Sequence, residues 1–404
     1  MSTQQLSPRM SRFSGSPTSA LQVRVSELKR QGKNIVSLSV GEPDFDTPDY
    51  IKEGAMDAIQ AGFTKYTQVN GIFELREAIA QKLQKDNNIP VTADHICNTV
   101  GAKQAVFSSL MVLCDEGDEV IIPIPCWVSY TEMVKLSGAK PVLVNCKEDF
   151  SLDLDAIEKA VTDKTRAIII CTPNNPTGAV YSEESLRALA DLAIKHDFFI
   201  IADEIYEKLV YDGSRHFSIA SISEEAFNHT CTINGFSKAY AMTGWRLGYV
   251  AARQDIIKGI MRFQSQVNSS NCSISQKAGV AALTGPQDSI AAMVEEFARR
   301  KDYVYDRVCK IPHLSCPEPK GAFYVLCDIS YYLGKSYGEW HINNGHDLSE
   351  YLLVTQQVST VPGEAYYLPG TIRFAYANSM ENLKIANNYN LSFKADMEYS
   401  MYRV

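Results

Sequence analysis

The chain lacks both the excess of basic residues that nucleic-acid binding needs and any long apolar run. Its 404 residues include 39 Lys and Arg against 47 Asp and Glu, a net charge of -8. This balance argues against a nucleic-acid surface, because contacts with phosphates need a basic face. No apolar run approaches the roughly 20 residues of a membrane helix. No basic region followed by an apolar stretch opens the chain as a signal peptide would. We therefore predict a cytoplasmic protein without nucleic-acid or membrane partners.

The sequence also lacks the cysteine spacing of metal sites and the glycine-rich loops of nucleotide-binding proteins. Its ten cysteines are scattered, and no two form a Cys-x-x-Cys pair. Neither a metal centre nor a disulfide framework is expected from that spacing. The patterns G-x-x-x-x-G-K-[ST] and G-x-G-x-x-G are both missing, which argues against the common nucleoside-triphosphate and dinucleotide loops. The prediction is free thiols in a reducing compartment, with no bound metal.

What the sequence does contain is a regular alternation of short apolar runs with amphipathic stretches. In the stretch 182–196, Leu186, Leu189, Leu192 and Ala193 fall on one helical face, which predicts a helix. Strands that are apolar on both faces and separated by helices indicate a mostly parallel sheet in an α/β fold. The predicted strands cover residues 119–124, 141–145, 166–171, 198–202, 230–234 and 247–251.

The length and one linker signal predict two domains. A chain of 404 residues exceeds what one simple core usually fills, and Thr284-Gly285-Pro286 is the clearest break. We predict a three-layer large domain over 49–285 and a smaller α+β domain over 286–404. Residues 1–48 would supply an N-terminal arm and part of the small domain. Further predicted helices start after Asn70-Gly71 and cover 101–113 and 287–308, and further strands cover 322–328 and 370–377.

Three polar residues come within four positions of the ends of predicted strands, where open parallel sheets bind their ligands. They are Asn175, Asp203 and Lys238. A carboxylate at the end of an apolar strand needs a partner, because an unpaired buried charge is costly, and a cationic ring nitrogen is one such partner. A lysine becomes able to form an imine where desolvation or nearby cations lower its pKa. Taken singly, each has an ordinary explanation as a turn residue, a helix cap or a surface lysine.

Three further features point to anions. The sequence around Gly101 predicts a strand, a turn and a helix start, where free amide groups can bind an anion. Arg246 lies eight residues after Lys238. Arg373 lies in an apolar strand, where a guanidinium wants a carboxylate in bidentate geometry, although an internal salt bridge would also serve. Together with Asp203 and Lys238, these features suit an aromatic phosphate aldehyde that acts on an amino acid.

At this point the chain resembles the class I aminotransferases among the fold type I pyridoxal-phosphate (PLP) enzymes, and most of all the bacterial-type aspartate aminotransferase subgroup. The resemblance runs from about residue 16 to about residue 388. It implies a PLP cofactor, an active homodimer and transamination by ping-pong kinetics. The motifs that carry it are GEPDFDTP at 41–48, NPTG at 175–178, DEIY at 203–206, Ser237-Lys238, TGWR at 243–246, VPG at 361–363 and Arg373.

The resemblance implies a role for each matched residue. Lys238 would form the imine with PLP and then move the proton of the substrate α-carbon, while Asp203 would pair with the ring nitrogen. Substrate contacts would come from Gly41, Lys103, Trp127, Asn175 and Arg373, with Arg373 on the α-carboxylate. Cofactor contacts would come from Gly101, Ala102, Lys103, Trp127, Asn175, Tyr206, Ser237 and Arg246, and from Tyr66 of the neighbouring subunit.

Two positions depart from the pattern of these relatives. Gly235 stands where many have a serine that binds the phosphate, and Ser237 or Thr99 would have to compensate. Ala20 stands where close relatives have a threonine that helps to close the substrate side of the site. The first departure concerns cofactor affinity and the second concerns substrate binding.

Lys103 decides the predicted substrate. In the subgroup that the chain resembles, a lysine here binds the distal carboxylate of aspartate or glutamate, which predicts an aspartate:2-oxoglutarate aminotransferase. The flexible ammonium could also serve an oxo acid whose carboxylate lies further out, such as prephenate, or Lys103 could contribute only its backbone. An aminotransferase of aromatic or prephenate type, or one preferring alanine, is therefore the first alternative. A carbon–sulfur β-lyase on the same scaffold is a further alternative. A non-catalytic regulator that retains the cofactor is a third, against which the intact Lys238, Asp203 and Arg373 argue.

Overall fold

The computed structural model describes residues 6–386. Residues 1–5 of the predicted arm and 387–404 of the predicted small domain lie outside this range. The helices are α1 Pro17–Arg30, α2 Asp49–Gln60, α3 Phe73–Asn87, α4 Gly101–Leu113, α5 Ser129–Ser137, α6 Leu154–Ala160, α7 Glu183–His196, α8 Glu224–Asn228, α9 Gln254–Val267, α10 Ser273–Thr284, α11 Asp288–Cys309 and α12 Gly345–Thr355. The strands are β1 Val36–Ser37, β2 Ile96–Thr99, β3 Glu119–Ile124, β4 Lys140–Asn145, β5 Thr165–Cys171, β6 Phe199–Asp203, β7 Thr230–Gly235, β8 Gly248–Ala251, β9 Tyr324–Asp328, β10 Lys335–Tyr337, β11 Trp340–Ile342, β12 Val358–Ser359, β13 Val361–Pro362 and β14 Thr371–Ala375.

A seven-stranded sheet of order β2-β8-β7-β6-β5-β3-β4 forms the centre of the molecule. The five strands from β7 to β4 pair in parallel, whereas β8 is antiparallel to both of its neighbours. All six predicted strands of this sheet form, with ends within one residue of the prediction. The mostly parallel α/β sheet is therefore confirmed, and β2 is an added edge strand.

The two faces of the sheet are covered by different helices, which gives three layers. On β5, Ile169 packs in one apolar cluster with Val106 of α4. Its neighbour Ile168 packs in another cluster with Leu186 and Leu189 of α7. Successive side chains of a strand point to opposite faces, so a strand that is apolar throughout needs cover on both sides. Each fully buried Leu or Ile stabilises the fold by roughly 1.5–3 kcal/mol.

A second, antiparallel sheet of order β13-β14-β9 lies in the last third of the chain and carries Arg373. The predicted helix over 287–308 forms as α11. The strand predicted over 322–328 starts later, at Tyr324, because Ala322 has a φ of 56°, which an extended strand does not allow. Residue 285 falls between α10 and α11, and β1 pairs with β12. The division into domains at residues 48 and 285 stays a prediction.

Two global properties follow from the described residues. None of the helices found between residues 6 and 386 is both long and apolar enough to cross a bilayer. All ten cysteines fall in this range, and each is free.

Candidate active site

A cavity of about 300 Å³ opens at the carboxyl ends of β5, β6 and β7, the end of an α/β sheet at which ligands bind. Asn175 follows β5, Asp203 ends β6, and Lys238 follows β7, so the sheet brings the three predicted residues together. Gly101 and Tyr66 do not line this cavity. The predicted residues that do are Gly41, Ala102, Lys103, Trp127, Asn175, Asp203, Tyr206, Ser237, Lys238, Arg246 and Arg373.

Asp203 presents a buried carboxylate to the cavity. Its Oδ2 accepts a hydrogen bond of 2.7 Å from the Tyr130 hydroxyl, and its Oδ1 accepts one of 3.2 Å from the backbone N–H of Ile205. Burial raises its pKa to about 6, although these hydrogen bonds oppose the shift. A carboxylate that burial destabilises in this way gains most from a cationic partner inside the cavity.

The turn that carries Asp203 is held from behind by a buried polar network. Glu207 pairs with Lys82 of α3 and accepts 2.7 Å from Asn87 Nδ2. Ser218 Oγ donates to Glu204 Oε2 at 2.7 Å. His216 joins the two carboxylates in a group whose candidate metal-ligand atoms all lie within 4.8 Å of one another. Glu207 is already paired with Lys82, and Glu204 lies 3.0 Å from His216 Nε2, so we assign this group to the support of the turn.

Lys238 points its amine into the cavity and donates 2.5 Å to the backbone carbonyl of Gly41. Its Nζ lies 5.8 Å from the ring centroids of Tyr206 and Phe323. Burial lowers the pKa of Lys238 to about 8, a shift that Glu42 opposes and Arg246 reinforces. A larger fraction of the amine is therefore neutral near pH 8 than in an ordinary lysine, and the neutral amine is the form that attacks an aldehyde.

The start of α4 offers an anion site at the cavity wall. Gly101 has a φ of 78°, and a side chain there would come within 2.7 Å of Arg246 Nη2. The guanidinium of Arg246 thus lies against the helix N-terminus, held by Nη1 to Thr243 O at 2.9 Å. Free amide groups and an adjacent guanidinium are what a phosphate group requires.

Lys103, in the first turn of α4, lines the same cavity but remains open to solvent. Its Nζ lies 4.8 Å from the ring centroid of Trp127, and the Trp127 ring meets Tyr130 edge-on with centroids 5.3 Å apart. The surrounding protein and the nearby Arg246 lower the pKa of Lys103. An anion in the cavity would relieve the repulsion between these two cations.

Arg373 is a buried guanidinium in the lining of the cavity. Its side chain donates to Asn175 Oδ1 at 3.0 Å and to the carbonyl of Ser39 at 2.7 Å. Its ring neighbour is Tyr324, whose centroid lies 4.3 Å from Cζ. Among the described residues, Arg373 Nε is a buried donor without a hydrogen-bond partner. Buried donors are rarely left unpaired, and a carboxylate ligand would satisfy this one.

These features together fit PLP and an amino acid. Asp203 suits a cationic ring nitrogen, the Gly101–Arg246 corner suits a phosphate, and Lys238 suits an aldehyde carbon. Trp127 is the aromatic ring on the cavity wall that could stack on the cofactor. The unpaired Nε of Arg373 suits a carboxylate. Neither the ring nor the phosphate of PLP supplies one, so it would come from the amino acid.

The two departures noted in the sequence have physical explanations. A side chain at Gly235 would meet Gly248 Cα at 2.8 Å, so the close approach of β7 to β8 requires glycine. Thr99 cannot replace the missing serine, because its hydroxyl already donates to the Gly101 carbonyl at 3.0 Å, whereas Ser237 does line the cavity. Ala20 is exposed, and it is Thr18 of α1 that lines the cavity.

Some site residues escaped the sequence reasoning. Tyr130, the donor to Asp203, lies three residues after Trp127 in the stretch CWVSY, and this helical spacing was an available signal. The hydroxyl oxygens of Tyr324 and Tyr206 lie 2.8 Å apart. Nothing in the apolar strand that contains Tyr324 identifies it as a site residue. Tyr66 is 93% exposed, so its predicted role in a neighbouring subunit stays a prediction.

Comparison with known proteins shows which family the chain resembles. Residues 33–388 match the family model of aminotransferase class I and II. The chain is 43% identical over 385 residues to a probable aspartate/prephenate aminotransferase of Rickettsia conorii, covering 94% of this chain and 96% of the relative. An aspartate aminotransferase of Bacillus subtilis is 40% identical over 94% of this chain and 96% of its own length. The structure of aspartate aminotransferase from Thermus thermophilus with maleate superposes with a TM-score of 0.89 at 41% identity, over 96% of this chain and 99% of that one.

Proposed function

This chain belongs to the class I and II aminotransferases, and on that premise we propose that it transfers the amino group of aspartate to 2-oxoglutarate with PLP as its cofactor. The observation that supports this choice of substrate is a pair of cationic side chains in one cavity. Arg373 has an unpaired buried Nε, and Lys103 lies open at the wall. A dicarboxylate can engage both of them at once, whereas alanine can engage only one.

PLP supplies an aldehyde for the amino group and an aromatic ring that stabilises negative charge at the substrate α-carbon. The chain would hold it through Asp203 at the ring nitrogen, Tyr206 and Asn175 at the ring hydroxyl, and Trp127 on the ring face. The amides of Gly101, Ala102 and Lys103 would hold the phosphate, with Ser237 and Arg246.

Lys238 would carry both the covalent attachment and the proton transfer. The neutral amine is favoured by burial, which brings its pKa to about 8. Once the substrate amino group has replaced it, the Lys238 amine is the nearest base to the α-carbon. It would remove the proton from the α-carbon and then donate it to a different reacting atom, which is general acid–base catalysis. The Tyr206 ring centroid lies 5.8 Å from the same amine, and the Tyr206 hydroxyl is hydrogen-bonded to that of Tyr324 at 2.8 Å.

Arg373 and Asn175 would fix the substrate α-carboxylate. The two side chains are already bonded to each other at 3.0 Å, so the guanidinium is oriented before the ligand arrives. Pre-oriented groups lose little entropy on binding, and bidentate Arg–carboxylate contacts also define direction. This contact would turn the α-proton towards Lys238.

We expect Lys103→Ala to reduce kcat/KM for aspartate by roughly 10- to 100-fold, because a hydrogen bond to a charged group is worth about 1.5–3 kcal/mol. Alanine has no distal carboxylate, so its kcat/KM should change by less than about threefold on the same reasoning. Steady-state kinetics with both amino donors measure the ratio. Lys140→Ala is the matched control, since that side chain is 71% exposed on β4 and outside the cavity. If aspartate and alanine lose activity equally, Lys103 does not select the substrate.

Prephenate is the second candidate acceptor. Several relatives carry the name aspartate/prephenate aminotransferase, and the flexible ammonium of Lys103 could meet a carboxylate placed farther from the reacting carbon than that of aspartate. The ratio of kcat/KM for prephenate to that for 2-oxoglutarate, measured on the wild-type protein with aspartate as donor, separates the two acceptors.

The proposed active unit is a homodimer in which Tyr66 of one copy reaches the phosphate in the other. The support is that Tyr66 is 93% exposed and lies outside the cavity of its own chain, while Arg246 is exposed at the cavity edge. Sedimentation of the purified protein at the mass of one chain would refute this unit.

One experiment tests the reaction and the substrate together. The purified, PLP-loaded protein should lose its visible absorbance band when aspartate is added and regain it when 2-oxoglutarate follows. Retention of the band with aspartate, together with its loss on alanine, would assign the protein to a different donor. Pyruvate release without an oxo-acid acceptor would instead indicate a β-lyase.

A further inference from the structure

The segment from Gly41 to Asp46, here the 41–46 segment, forms one wall of the active-site cavity without belonging to a helix or strand. On the cavity side, the Gly41 carbonyl accepts 2.5 Å from Lys238 Nζ. Glu42 Oε2 accepts 2.9 Å from the Thr243 hydroxyl. The wall that receives the substrate is therefore a loop, and its position depends on what holds it from outside.

Gly41 has no side chain that could hold its backbone in place. A Cβ at this position would lie 2.5 Å from the Tyr324 hydroxyl oxygen, so no larger residue fits. Glycine also has the widest backbone freedom of any residue. The loop therefore needs an anchor elsewhere along its length to keep the Gly41 backbone in one place.

Arg300 of α11 supplies such an anchor. Its Nη1 donates to Asp44 Oδ1 at 2.5 Å and its Nε to Glu296 Oε1 at 2.8 Å, with a side chain only 6% exposed. The guanidinium carbon also lies 4.9 Å from the ring centroid of Phe45. Phe45 in turn packs edge-on against Phe297, with centroids 5.3 Å apart. One buried side chain thus grips two consecutive residues of the loop.

The contacts of Arg300 with Asp44 and Phe45 are expected to be rigid. A guanidinium is planar and always charged, and its fixed donors define the direction of each partner. Because Arg300 is nearly buried, removing the Asp44 carboxylate leaves a donor that water replaces poorly. The stack on Phe45 adds a cation–π attraction.

We propose that Arg300 is a positioning residue for substrate binding: by holding Asp44 and Phe45, it fixes the Gly41 backbone that faces the substrate carboxylate. The inference rests on the proposed aminotransferase function. Arg300 touches neither substrate nor cofactor and acts only through the 41–46 segment. The cofactor contacts lie on other elements, so cofactor affinity is expected to be independent of it.

The test compares Asp44→Asn and Arg300→Met with wild type. We expect KM for aspartate to rise about tenfold with kcat changed less than about twofold, since displaced binding groups weaken ground state and transition state alike. The dissociation constant of maleate, a dicarboxylate with no group that can react, should rise about tenfold in calorimetry on the same basis. The PLP content and the dissociation constant of PLP should stay at the wild-type value. Arg300→Lys, which keeps the charge without the fork, should fall between wild type and Arg300→Met.

Arg299→Met is the matched control, because Arg299 also pairs with Glu296, at 2.8 Å, but its side chain is 59% exposed. A normal maleate affinity in Asp44→Asn would overturn the proposal, even if Arg300→Met failed to fold. A lowered melting temperature with unchanged KM would also overturn it, by reducing Arg300 to a structural role. A wild-type protein that binds maleate but does not transaminate aspartate would refute the proposed function alone, and the maleate comparison would still decide the role of Arg300.

Discussion

Lys238→Ala is expected to lower kcat for aspartate transamination by at least about 10⁴-fold, because it removes the amine that we propose both attaches the cofactor and moves the α-proton. The wild-type amine is suited to both tasks, since burial lowers its pKa to about 8. No other lysine of the cavity can replace it, as Lys103 lies over the Trp127 ring. Single-turnover measurements with aspartate give the rate.

Covalent attachment provides the direct readout for this variant. Borohydride treatment of the wild-type protein should fix PLP to one peptide, and that peptide should contain Lys238. The rate at which cofactor-free protein captures PLP should rise with pH, pass its midpoint near pH 8 and level off above it, because only the neutral amine attacks. Lys277→Ala removes an exposed-face lysine paired with Glu74 and should behave as wild type. Attachment to another peptide would remove Lys238 from its role.

The central sheet could be predicted because its determinants are local. The strand that contains Ile168, for example, is apolar on both faces. Only a sheet covered by helices on both sides buries all the side chains of such a strand. The residues that follow these strands could be located for the same reason, since parallel strands bring Asn175, Asp203 and Lys238 to one edge. Their chemistry, in contrast, became clear only as a set, because each residue alone has an ordinary structural explanation.

The residues that support the site could not be predicted from the sequence. Tyr324 reaches Tyr206 from a different sheet, and Arg300 reaches Asp44 from a distant helix. Such contacts depend on how elements pack, which local periodicity does not encode. The short edge strand β2 was also missed as a sheet member, because its antiparallel pairing with β8 breaks the alternation of strand and helix.

The position of Thr18 illustrates the same limit in the N-terminal segment. Comparison with related sequences drew attention to Ala20, where a threonine is missing. In the structure Ala20 is exposed, while Thr18 lines the cavity two residues earlier on α1. A helix places residues two apart on different faces. The hydroxyl at the cavity is therefore retained, and the substitution at residue 20 has no contact with the site.

Asp203→Asn is expected to reduce kcat by about 10³-fold, because breaking a buried charge pair costs about 3–5 kcal/mol and each 1.4 kcal/mol is about tenfold in rate. An amide has nearly the same shape as the carboxylate, so the hydrogen bond with Tyr130 at 2.7 Å can persist while the negative charge is lost. Among the described residues that line the cavity, the one other carboxylate is that of Glu42, which already accepts a hydrogen bond from Thr243. The loss should fall on kcat rather than on KM for aspartate, since the proposed partner of Asp203 is the cofactor and not the substrate.

Tyr130→Phe separates the charge of Asp203 from its placement. It removes only the hydroxyl that donates to Oδ2, so we expect a loss of roughly tenfold, as for one hydrogen bond to a charged group. The pH dependence gives a second discrimination. The pKa of Asp203 is raised to about 6 by burial, so wild-type affinity for PLP should fall as the pH drops below about 6 and the carboxylate gains a proton. The Asp203→Asn variant has no such proton to gain and should lack this component. Equal PLP affinity profiles in the wild type and Asp203→Asn would show that the carboxylate is not the partner of the cofactor ring, whatever the loss in kcat.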